Sequence, residues 1–190
     1  MFPLWLKLGY TGFVVVLVPA YVREYGPGNF LWFSDVALLL GLAAIWLRSA
    51  LLASTQAVAV LVPELLWILE FMVHLTTGFR PVGATDYMFD VSIPPFVRAL
   101  SLFHMWLPIV LLWMVYRLGY DRRALFTQTT IGTVLLIATY LLTPPENNVN
   151  WVHRWGKVHG VWPLVLSVVA FPVLFYLPAH VALRARMPSK

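Results

Sequence analysis

Apolar residues along this chain fall into blocks long enough to cross a hydrocarbon core of ~30 Å, which takes about twenty helical residues. Short clusters of turn and polar residues separate the blocks: "REYGPG", "LRSALLAST", "TGFRPVGATDYMFDVSIPP", "RLGYDRR" and "TPPENNVNWVHRWGKVHG". Proline and glycine in these clusters punctuate helices. The pattern predicts six membrane spans at roughly 2–22, 29–50, 56–77, 95–116, 124–143 and 161–183. The expected fold class is an all-α polytopic transmembrane bundle of about six helices, a single integral membrane domain over 1–190. Lys7 lies inside the first apolar block and no small-x-small cleavage site follows, so this block reads as a retained span.

Composition agrees with the pattern. Of 190 residues, 61% are hydrophobic and only 11% charged, against about a quarter charged in soluble domains. A net charge of +5 would ordinarily raise nucleic acid as a partner, but the basic residues sit at span ends, as topology-setting residues do. We expect no nucleic-acid partner. Eight Lys and Arg on the side holding both termini, against five on the other, put the termini in the cytoplasm. The expected location is a multi-pass position in a membrane, taken as a bacterial inner membrane. With no cysteine, disulfides and thiolate chemistry are excluded.

Against this apolar background the polar residues within spans carry the information, because ionisable groups in hydrocarbon are expensive. At ~1.5 Å per residue, Ser34 and Asp35 lie ~8–9 Å below the outer end of the second span. Glu70 and His74, four apart and on one helix face, fall in the outer half of the third. His104 lies ~14 Å into the fourth, with Ser101 one turn above. These groups share one depth, and in lipid they must find one another, water or backbone carbonyls. A polar cavity open to the outer leaflet is the expectation, with Asn147, Asn148 and Asn150 at its mouth as candidate substrate-binding residues. Each has a plainer reading as well. Ser34 could bond a carbonyl one turn back; Asp35 could tether a neighbouring helix; Glu70 and His74 could form a surface pair. Glu64, beside Pro63, could satisfy backbone freed by a kink.

The segments "WFSDVALLL", "LVPELLWILEFMVH", "LSLFHMWLP" and "ENNVNWVHRWGKVHGVWPLVL…FYLP", in that order, resemble the YwaF-like bacterial integral membrane family over about residues 29–180. That family is similar in turn to a vertebrate ether-phospholipid acyltransferase and to the androgen-regulated fatty-ester hydrolases. The resemblance implies a nucleophile at Ser34 and a histidine at His104, with Ser where the bacterial family usually has Cys.

The function expected on this basis is acyl transfer or ester hydrolysis on a membrane lipid by a Ser34–His104 dyad, supported by Asp35, Glu70, His74 or Ser101, without cofactor. A base-activated hydroxyl is the reason such a pair recurs. Three rivals stand beside it: a zinc hydrolase using His74, His104 and Asp35, a small or proton-coupled transporter, and a structural subunit whose polar groups tie helices together. A second copy or another membrane protein would be the partner in the last case.

Overall fold

A computed structural model describes residues 2–189. The protein is an all-α polytopic bundle of five helical stretches long enough to cross a membrane, with one shorter apolar helix among them. The long stretches are α1 (Leu4–Tyr25), α3 (Ala50–Thr77), α4 with α5 (Pro95–Leu100 and Phe103–Leu118), α6 (Ala124–Leu142), and α7 with α8 (Trp162–Ala170 and Leu177–Arg186) joined by a π-helical segment, Phe171–Tyr176. The shorter helix is α2 (Phe33–Leu47). Apolar side chains such as Trp5, Val15, Leu65, Ile109, Val134 and Val173 point outward along the spans, where lipid replaces the usual need for a buried face.

Two of the expected spans are corrected in length. The second begins at Phe33 and not at 29, because Pro27–Leu31 forms a 3₁₀ turn and Trp32 is extended. Its 15 residues give about 22 Å of helix. The third begins at Ala50, where Ser49 caps it by accepting the Leu52 amide. Its 28 residues reach about 42 Å, more than the ~30 Å hydrocarbon layer.

α3 is the hub, packing against α2, α5, α6, the π segment and α8. Its inner half is small and buried (Ala53, Ser54, Ala57 and Ala59), which lets neighbouring backbones approach closely, as membrane packing favours. The α2–α3 turn is sharp, with Arg48 in the left-handed region at φ 53°. Phe2 packs edge-on against Trp113 at 5.4 Å near the end of α5, and Tyr120 donates its amide to Pro188 at 2.6 Å. Both chain ends therefore lie on one side, the inner side by charge. On the outer side a short hairpin, β1 (Arg154–Trp155) with β2 (Val158–His159), precedes α7.

The α1–α2 contact depends on a glycine. The Tyr10 hydroxyl donates to the Leu38 carbonyl at 2.7 Å, and its ring meets Trp106 edge-on at 5.2 Å. A Cβ at Gly41 would stand 2.7 Å from that hydroxyl, whereas one at Gly12 would meet nothing within 4 Å. Gly41→Ala should therefore destabilise the bundle by about 1–3 kcal/mol through overpacking. Gly12→Ala should be neutral or slightly stabilising. Thermal unfolding in detergent micelles separates the two.

Candidate functional site

Pro63 has no amide hydrogen, so α3 lacks one backbone bond at mid-length. Glu64 follows it and is buried at 2% exposure. From the facing helix, His104 enters just after the break between α4 and α5. Its Nδ1 lies 2.7 Å from Glu64 Oε2. The imidazole is stacked on Trp67 at 4.5 Å and flanked by Phe103 at 4.2 Å, so its plane is fixed from two sides. A carboxylate bonded to one ring nitrogen sets the tautomer and orientation of the other.

Asp35 joins this pair from α2. It is 3% exposed and within electrostatic reach of both His104 and Glu64. It also occupies the first turn of its helix, where the positive end of the dipole favours a carboxylate. That position explains why so apolar a block opens with an acid. Asn29 Nδ2 donates to Asp35 Oδ2 at 3.4 Å. Asp35 Oδ1 and Glu64 Oε1 are buried and accept nothing. Buried acceptors without donors cost ~1–3 kcal/mol each, more when charged, so two in one centre are the site's most informative feature.

Aromatic hydroxyls close the centre from above. Tyr21 and Ser101 share a hydrogen bond of 2.6 Å. Tyr87, carried by the loop between α3 and α4, turns its hydroxyl inward towards Ser101, within reach of Tyr21, Glu64 and Asp35. Burial pushes the Tyr87 phenol well above its ordinary range, with the neighbouring Tyr21 adding to this and Ser101 opposing it. The phenol stays neutral and available as a donor.

The expected site residues are thus divided. His104, Asp35 and Ser101 lie in the centre. Ser34 is half-buried on α2, and no hydrogen bond joins it to His104, whose Nδ1 is held by Glu64. Glu70 and His74 stand above the centre on the last turns of α3. Glu70 Oε1 accepts the amides of Gly83 at 2.6 Å and Val82 at 3.3 Å. His74 bonds Thr85 Oγ1 at 3.3 Å and packs on Phe89. Both anchor the loop that delivers Tyr87. Asn150 caps α2 from outside, accepting the Phe33 amide at 3.2 Å and donating to the Leu31 carbonyl at 2.7 Å. Asn148 accepts the His153 and Arg154 amides within its own loop, and Asn147 is exposed. These bonds are loop architecture. Among the described residues, no group of three His, Cys, Asp or Glu side chains is placed to hold a metal ion, which leaves the zinc reading without a ligand set.

Polar groups also lie buried in the inner half. Thr55 Oγ1, Gln56 Nε2, Gln128 Oε1 and the Tyr176 hydroxyl have no hydrogen-bond partner. Tyr176 faces Gln128 of α6, and a Cβ on Gly132 would come within 2.6 Å of the Tyr176 hydroxyl. Nearer the inner surface, Asp121 donates its amide to Ser54 at 3.0 Å, and Tyr120 bonds His180 Nδ1 at 2.7 Å.

Glu64, Tyr21, Tyr87 and Asn29 were not foreseen as parts of one site. The signal for Glu64 was a carboxylate in mid-span. No family model, curated protein or solved structure matches this chain.

If Glu70 holds the loop, Glu70→Ala should speed hydrogen exchange at the Val82 and Gly83 amides by about tenfold or more, since a charged hydrogen bond contributes ~1.5–3 kcal/mol. Amides in the core of α5 should be unaffected.

Proposed function

We propose that this multi-pass protein is a proton-coupled carrier of a bacterial cell membrane, exchanging protons for a small cationic solute at the Asp35–Glu64–His104 centre. The observation that carries the reading is the pair of buried carboxylate oxygens, Asp35 Oδ1 and Glu64 Oε1, that lack donors. Two carboxyl groups and one imidazole make a cluster in which the acids outnumber the base. Either a proton or a small cation would supply it with a donor and a balancing charge. Binding of one would therefore exclude the other, which is the requirement for exchange. The inner-half groups Thr55 and Gln56 support a route onward, because unpartnered buried polar atoms mark places where water or a polar solute lodges.

A second reading keeps the acyl-transfer expectation. An imidazole oriented by a carboxylate is the arrangement a general base takes in nucleophilic catalysis, and the resemblance to the YwaF-like family points the same way. On this reading His104 would activate Ser34 after a rotation of the second helix, or would activate a water, against a lipid ester.

Reconstitution separates these readings. Proteoliposomes containing a pH-sensitive dye would receive sodium, potassium or tetramethylammonium chloride outside. Exchange should make the interior alkaline with at least one of these cations. Asp35→Asn and Glu64→Gln should reduce the rate at least tenfold, while Ser34→Ala leaves it unchanged. No response to any of the three cations, or wild-type rates in both carboxylate variants, rejects the carrier. Turnover of a fluorescent phospholipid ester that is lost in Ser34→Ala would establish the enzyme instead.

A further inference from the structure

Where the α2–α3 turn meets the end of α5 there is a cavity of about 290 Å³ lined by Phe2, Arg48, Arg117 and Leu118. It lies on the inner side, far from the acid–base centre and independent of that centre's role. We propose that this cavity binds the phosphodiester headgroup of an anionic phospholipid of the inner leaflet.

Charge is the first support. Ion pairs among the described residues join Arg80 to Asp86, His104 to Glu64 and Arg123 to Asp121. Among the described residues, neither Arg48 nor Arg117 pairs with an acid. Asp121 is the sole carboxylate side chain on the inner face, and Arg123 holds it through both oxygens at 3.0 and 2.8 Å.

Position is the second support. Arg48 is the C-cap of α2 and Arg117 lies in the last turn of α5. Each helix C-terminus contributes about half a negative charge. Two arginines against two such ends leave roughly one positive charge in the cavity. That matches a singly charged phosphodiester better than a doubly charged free phosphate. Arg48 also adopts a left-handed backbone at φ 53°, a conformation uncommon outside glycine, Asn and Asp, and this directs its side chain at the end of the turn.

The walls are the third support. Phe2 is 5% exposed and packed on Trp113, and Leu118 is half-buried. Together they give the cavity an apolar side and a cationic side. The glycerol backbone and upper acyl chain of a lipid would meet the first, and its phosphate the second. Basic pockets between helices at the cytoplasmic side are known to take anionic headgroups.

The test uses full-length protein in nanodiscs of mixed phosphatidylcholine and phosphatidylglycerol, with the lipids retained on extraction counted by native mass spectrometry. At about 1 kcal/mol per basic residue near the surface, two arginines should favour phosphatidylglycerol roughly thirtyfold. Arg48→Gln with Arg117→Gln should abolish the preference, and Arg48→Lys with Arg117→Lys should keep most of it, which also controls for folding. Arg122→Gln with Arg186→Gln removes the same charge from the inner face outside the cavity and should leave the preference intact. Wild-type retention in the Arg48/Arg117 glutamine variant, or equal loss in the Arg122/Arg186 variant, overturns the site. Displacement of the lipid by millimolar inorganic phosphate overturns the lipid assignment in favour of free phosphate.

Discussion

A hydrogen bond of 2.7 Å between Glu64 and His104 fastens the hub helix to its principal neighbour at mid-membrane, and much of the outer half is arranged around it. Removing one partner of a buried hydrogen-bonded pair leaves the other's polar group without a partner and costs ~1–3 kcal/mol, more where it is charged. Such a pair is therefore weak as a stabiliser of the fold and strong as a constraint on it. Trp67 and Phe103 clamp the imidazole, the break between α4 and α5 places it, and Pro63 lies immediately before the acid. Asp35 then occupies the only carboxylate position of α2, at the helix end where its charge is best tolerated. These features make chemical sense together and little sense singly.

Much of the fold could be read from hydropathy, because a membrane obliges every backbone group to bond within its own helix. Helix count, the shared side of the two termini and the interruption by aromatic loops all follow from that constraint. Helix length did not. Depth counted from the outer end of the third span places Glu70 and His74 in the layer of His104. The residue of α3 that meets His104 is Glu64, nearly two turns below Glu70. The second span erred the other way, since "GPGNFLW" forms a 3₁₀ turn and an extended tryptophan before the helix begins.

Rotation about each helix axis was equally beyond a hydropathy reading. Ser34 and Asp35 are adjacent in sequence, and about 100° separates their directions on a helix. The acid faces the centre and the hydroxyl does not. Tyr87 was invisible for a different reason. It lies in a loop whose course is decided by bonds to Glu70 and His74, and no periodicity encodes those. Likewise the asparagines of the outer loop proved to be engaged with backbone, Asn150 most clearly, since it completes the α2 N-terminus from a segment more than a hundred residues away.

The last span shows how a small irregularity can set a large part of an interior. A single π turn inserts one residue beyond what a regular helix would hold, and one residue corresponds to about 100° of twist at 3.6 residues per turn. Everything in α8 is thus turned relative to α7 by more than a quarter revolution. Tyr176 and His180, four residues apart, owe their inward direction to that offset. The bulge acts as a gear tooth: were the segment to relax into regular helix, both side chains would swing away from Gln128 and Tyr120 together, and the inner half of the bundle would lose two of its polar groups in one motion.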